Sequence, residues 1–250
     1  MMAIIMHIFY AFKRDALFVG TTLLVLCCGG LSIFLGSNAV VEAQEAKIVY
    51  TASTSRIIIM LGFVVFVSFY IKRMFENKEI EVMLSRSVSR TKVLASMFIG
   101  FSATLLCLVF PVFIVLMLLK CKLLHILIWV ISLYCEGLIV LSFSLCCSLI
   151  IKSFASVFLG CFTFYVVGRI IGNFVVYLKM SLSTNMEVAM ESTLKVLSIF
   201  IPRLDLFGKS SWLVYGDFSS SSVITFLLQT LISCSIFLIV ATIDLKNKRF

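Results

Sequence analysis

Six stretches of this chain are apolar for long enough to cross a lipid bilayer, and that repetition restricts the fold more than any single motif does. A hydrocarbon core about 30 Å thick takes about 20 helical residues per crossing. Within it every backbone N–H and C=O must be bonded inside the chain, which leaves helices or a closed barrel. The runs are continuously apolar rather than alternating. The reading is therefore all-α and polytopic, with six transmembrane helices at about 16–36, 55–72, 93–119, 123–151, 153–178 and 223–243. Of 250 residues, 62% are hydrophobic and 13% are charged, about half the charged share of a globular protein. The spans leave no room for a soluble domain, so residues 1–250 are read as one transmembrane domain. A cleavable leader is a poor reading of the first run, because mostly apolar residues precede it and no A-x-A-like site follows.

The formal net charge of +9 could point to nucleic acid in a soluble protein. Here the basic residues gather at the ends of apolar runs, where anchoring and orientation explain them, so the expected partner is the lipid bilayer and not nucleic acid. Six spans place both termini on one side. With the N-terminus inside, the inner segments hold twelve Lys and Arg and the outer ones eight, and the inner segments are much shorter. Both termini are therefore expected in the cytoplasm. The second apolar run, 57–71, is short, so it is expected either to borrow neighbours such as Ala52 or to rely on Arg56 and Lys72 snorkelling to the two interfaces, and residues 37–55 are expected to form a loop on the outer side. Pro111 is expected to kink the third span, and tight turns are expected at 120–122 and at Lys152.

Three segments outside the spans carry helical patterning. In AIIMHIFYAFKRD (3–15), Ile4, Ile5, Ile8, Phe9 and Phe12 form one side and Lys13 and Arg14 end it, as in an interfacial helix. Between the fifth and sixth spans, Met186, Met190, Leu194, Leu197 and Ile201 repeat at helical spacing until Pro202 stops them. The following PRLDLFGKSSWLVYGDF suits a turn and a second short helix dipping into the interface, with Trp212 and Tyr215 at the boundary. The third segment, KRMFENKEIEVMLSRSVSRTK (72–92), is the one long charged stretch between spans. Ile80, Met83, Leu84 and Val88 share a helical face while Glu76, Glu79, Arg86 and Arg90 point elsewhere, which describes an amphipathic helix in need of a partner.

Chemistry-bearing motifs are scarce. There is no GxxxxGK[ST] loop, so an ATP-driven process would need another chain to bind the nucleotide. HExxH and GxSxG are missing and His7 and His125 lie far apart, so an intrinsic enzyme is not expected and no metal or cofactor is assigned to the chain. Most of the nine cysteines (Cys27, Cys28, Cys107, Cys135, Cys146, Cys147, Cys161 and Cys234) sit within apolar runs without a C-x-x-C, as small buried hydrophobes. Two charges fall inside spans. Glu136 is fifteen residues from the inner end of span four and Arg169 sixteen from the inner start of span five. At 1.5 Å per residue both lie roughly 22–24 Å deep, so an ion pair across the hairpin is geometrically natural. It can be a structural pair that shares the cost of burial, or part of a polar patch lining a translocation path.

EIEVMLSRSVSR (79–90), followed by a long apolar helix, resembles the segment after the second span in permease subunits of the ABC-2 class of ABC transporters. The matching residues are Glu81, Leu84, Ser85, Val88, Ser89 and Arg90. The chain departs at Ser87, where proline is usual, and at Ala95 and Ser96, where Gly-Lys would follow. IPRLDLFGKSSWLVYG (201–216) is similar to the run before the last span in the branch that includes permeases linked to copper-enzyme maturation. The resemblance implies an N-terminal interfacial helix, a cytoplasmic coupling helix after span two and a helical outer loop before span six. It also implies a multi-pass permease subunit in a bacterial cytoplasmic (inner) membrane, probing the cleft of a separate ATP-binding subunit through Glu76, Glu79, Glu81, Leu84, Ser85, Arg86, Val88, Ser89 and Arg90. ATP and Mg would sit on that partner. A second permease copy or a paralogue would complete a homo- or heterodimeric exporter. The alternative from the residues alone is a self-sufficient secondary carrier or channel built on Glu136 and Arg169.

Overall fold

The computed structural model describes residues 2–37, 42–79, 89–151, 153–181 and 202–247. These residues fold as helices α1 (Met2–Arg14), α2 (Ala16–Ser37), α3 (Ala43–Glu76), α4 (Arg90–Leu118), α5 (Leu123–Ile150) and α6 (Phe154–Ser181). A 3-10 turn (Leu204–Leu206), α7 (Ser210–Val214) and α8 (Ser220–Asn247) complete the order. Six of them, α2 to α6 and α8, are long and apolar enough to span a membrane. The multi-pass, all-helical reading therefore holds.

The centre of the bundle is α5. Trp129, Leu133, Ile139, Leu141 and Leu145 are fully buried along its length, and it packs against α3, α4, α6, α7 and α8. Phe143 of α5 stacks on Phe164 of α6 with centroids 3.9 Å apart, and Phe237 of α8 meets both edge-on. These rings close one three-helix seam. By contrast α2 and α8 turn rows of leucine and isoleucine outward, among them Leu23, Leu31, Leu228 and Ile239, as expected of helices whose solvent is lipid.

The second span departs from expectation. Instead of a loop to residue 55, helix begins at Ala43, and α3 runs 34 residues, roughly 51 Å at 1.5 Å per residue. Small polar residues cause this rather than oppose it. Ile48, Thr51, Ala52 and Ser55 form a buried stripe that packs on α2, where Thr51 donates to Ser32 Oγ at 2.6 Å. Thr54 and Ser55 donate to carbonyls of the preceding turn, so their hydroxyls are satisfied within the helix.

The amphipathic α1 sinks between α3 and α4. Ile8 and Phe12 are buried, Phe12 lies edge-on to Phe66 at 4.8 Å, and His7 Nδ1 and the Tyr70 hydroxyl are hydrogen-bonded at 2.8 Å. The close approach needs Gly100, because a Cβ there would lie 2.9 Å from Ile8. Phe9, assigned to the same apolar side by its spacing, is exposed instead. The α4–α5 turn is tight, with Lys120 at φ +58°, and only three residues separate α5 from α6. Helix α4 continues through Pro111.

Candidate functional site

Glu136, on the central helix, is fully buried, and both its oxygens face a guanidinium. Arg169 Nη2 of α6 lies 3.3 Å from Oε1, as the hairpin depth predicts. Arg56 Nε of α3 lies 3.6 Å from Oε2. The pair expected from the sequence is thus a triad on three helices. Neither contact is aligned as a hydrogen bond, so the charges hold each other by Coulomb attraction in a low-dielectric surrounding. The Tyr165 hydroxyl, one turn before Arg169, is buried against the same carboxylate.

Of the two ways open to the short second span, the helix takes in neighbours such as Ala52, and Arg56 does not snorkel to an interface, its side chain being only 11% exposed. The signal for this was present. Arg56 lies sixteen residues from Lys72, roughly 24 Å along α3, which is the depth of Glu136 and Arg169 along their own helices. Trp129 also went unassigned, although Trp129, Ser132 and Glu136 follow one another at i, i+3, i+7 on one face of α5. The Arg56 guanidinium sits over the Trp129 ring, 5.6 Å from its centroid, a cation–π contact that offsets part of the cost of burial.

Residues 202–216 roof this cluster. Trp129 Nε1 donates to the Gly208 carbonyl at 3.1 Å, Ser132 Oγ accepts from the Gly208 amide at 2.8 Å, and Arg169 Nη1 reaches the Phe207 carbonyl at 3.5 Å. Phe207 and Trp212 are buried and pack on Phe226 of α8. Trp212 is therefore a wedge holding the roof down rather than an interfacial anchor. Tyr215 stays exposed and donates to Glu45 at 2.9 Å. Arg203 and Asp205 pair at 2.9 Å at the rim, and the Asp205 carboxylate rests on Gly172 of α6, where any side chain would collide with it. Among the described residues, two guanidiniums against one carboxylate leave the cluster with an excess positive charge, partly accessible through Arg169.

Residues assigned to the charged segment between the second and third spans separate into three groups. Glu76 ends α3 and pairs with Lys72 at 3.6 Å, while Glu79 accepts from the Asn77 side chain at 3.2 Å. Ser89 and Arg90 belong to the start of α4. Ser89 is its N-cap residue, and Arg90 donates to the carbonyls of Leu245 and Lys246 at the end of α8. Glu81, Leu84, Ser85, Arg86 and Val88 lie outside the described residues. Among the described residues no three His, Cys, Asp or Glu side chains are grouped to hold a metal ion. No protein-family model matches the chain, and no curated protein matches it.

Proposed function

We infer that this chain is the membrane-spanning permease subunit of an ATP-driven ABC-type exporter, coupled to a separate ATP-binding subunit through the charged segment that links α3 and α4. The observation that carries the reading is the joint layout of three features. An amphipathic α1 packs on α4 and sets Phe12 and His7 against Phe66 and Tyr70 of α3, near the described ends of the chain. A charged stretch joins those same two helices. Residues 202–218 fold back over the bundle before the last span. Each agrees with the ABC-2 pattern that 79–90 and 201–216 resemble. Arg90, anchored to the end of α8, would pass a displacement of the linking segment to the last span as rigid-body motion.

The test is to purify the protein from its source in mild detergent and identify what accompanies it. An ATP-binding chain in stoichiometric amount, lost on Arg86→Glu, supports the reading. Purification without any ATP-binding chain, together with transport activity indifferent to Arg86→Glu, overturns it.

The buried cluster supports a second reading, a carrier that works without ATP. Three ionisable groups together at one depth are what a coupling site in a secondary transporter requires. Uptake or efflux by the purified chain alone in liposomes, driven by an ion gradient and abolished by Glu136→Gln, would establish that reading in place of the first.

A further inference from the structure

The face that carries α1 also holds a cleft, of about 860 Å³, between α1 and the last turns of α3. That lies within the roughly 300–1,000 Å³ of small-molecule sites. Lys13, Arg14 and Arg73 line it. Their heads are exposed, and none of the three has an ion pair among the described residues. The lining carboxylates are Asp15 and Glu79. Asp15 accepts the Leu17 amide at 3.0 Å as α2 begins, and Glu79 accepts from Asn77 at 3.2 Å. Among the described residues, three cations against two carboxylates leave one net positive charge, the complement of a single phosphodiester rather than of a phosphate dianion.

The remaining lining is amphiphilic. The hydrogen-bonded His7–Tyr70 pair supplies a polar wall, while Ala11, Phe69 and Met74 supply an apolar one. The cleft also sits where a span begins and another ends, since Ala16 opens α2 and Glu76 closes α3, which is the level of lipid headgroups. A soluble anion would use the cations and leave the apolar wall uncovered. A phospholipid would use both, its phosphodiester on the basic side and its glycerol and first methylenes on the exposed Phe69.

We propose that the cleft between α1 and the inner end of α3 binds the headgroup of an anionic phospholipid, its phosphodiester held by Arg14, Arg73 and Lys13. Such a lipid would bridge the wedge helix and the second span at the end of α3. Basic pockets between spans recognise anionic headgroups by this combination of charge and fit. The site depends on the membrane architecture alone and stands whichever transport reading holds.

The experiment places the full chain in phosphatidylcholine nanodiscs with a graded fraction of phosphatidylglycerol and counts retained lipids by native mass spectrometry. Wild type should retain phosphatidylglycerol in preference to phosphatidylcholine. Arg14→Gln with Arg73→Gln should weaken that preference about tenfold or more, given the contribution of each basic residue near an anionic surface. Arg14→Lys with Arg73→Lys should keep most of it, and Lys122→Gln on the opposite face should leave it unchanged. If the charge-removing double variant does not stay monodisperse, each single Gln substitution should show a partial loss. No preference for phosphatidylglycerol, or a preference untouched by the Gln variants, overturns the proposal. So does inorganic phosphate that displaces the lipid through the same two arginines, because the ligand would then be a soluble phosphate.

Discussion

The guanidinium of Arg56 lies against Gly208, so closely that a methyl group on that glycine would overlap it. Gly208 has φ +50°, in the left-handed region, and its two backbone groups are bonded to Trp129 and Ser132. One residue therefore clamps the roof onto α5 and closes the top of the charge cluster. The buried arginine and the roof segment depend on each other. Arg56 can remain desolvated because the roof covers it, and the roof can lie this deep because its turn residue has no side chain.

Gly208→Ala should therefore be costly twice over. A non-glycine residue held in the left-handed region loses about 1–2 kcal/mol, and the new methyl must also displace Arg56 from its place over Trp129. Thermal unfolding in detergent should fall, and the emission of Trp129, isolated in a Trp212→Phe background, should shift to longer wavelength. An alanine variant with unchanged emission would show that the roof is held elsewhere.

Removing Glu136 should be the most damaging change in the cluster. Glu136→Gln leaves two guanidiniums facing one neutral amide in a buried site, and breaking a buried ion pair from one side costs about 3–5 kcal/mol. Arg169→Leu should cost less, since Arg56 still neutralises the carboxylate and Arg169 is the more exposed partner. Adding Arg56→Leu and Arg169→Leu to Glu136→Leu should recover much of the loss by replacing charges with apolar packing. Melting temperatures of the series decide it: a triple variant as unstable as Glu136→Gln would mean the triad is not held by mutual compensation.

The Glu136–Arg169 contact was legible because a hairpin with a short turn fixes depth by counting, so two charges equally far from the turn must meet. Arg56 was not, although its depth matches, because Thr51, Ser55 and their neighbours look like loop on a hydropathy scale. On a helix Ser55 bonds its own preceding turn and Thr51 joins the seam with α2. The short helix after Pro202 was read from composition, but nothing in the sequence says that Gly208 is its point of attachment, which depends on residues 129 and 132 arriving from another helix. Spans and depths are local properties of the sequence, whereas the roof is a long-range one.

The exposed Tyr215–Glu45 bond gives a pH signature. The Glu45 carboxylate accepts the phenol proton and its charge opposes phenolate formation, so the Tyr215 pKa is raised, with the hydrogen bond the larger cause. The sign follows: a group whose folded pKa lies above its unfolded value lends its support below the unfolded value and loses it as pH rises through the folded one. The difference in phenolate absorbance between wild type and Tyr215→Phe should therefore titrate above the normal tyrosine range, and Glu45→Gln should bring it back down. A midpoint unaffected by Glu45→Gln would mean the two residues do not meet in solution.

Arg90 ties the first turn of α4 to the last carbonyls of α8, oxygens that a helix end leaves without partners of its own. A guanidinium also complements the negative end of the helix dipole. Hydrogen bonds to a charged donor are worth about 1.5–3 kcal/mol, so Arg90→Gln should loosen the end of α8 more than it destabilises the whole bundle. Amide hydrogen exchange should accelerate over residues 242–247 by about one to two orders of magnitude, on the scale of 1.4 kcal/mol per factor of ten, while residues around Glu136 on α5 keep their protection. Equal acceleration at both places would make Arg90 a general stability residue. A change confined to the end of α8 would mark it as the joint between the charged segment and the last span.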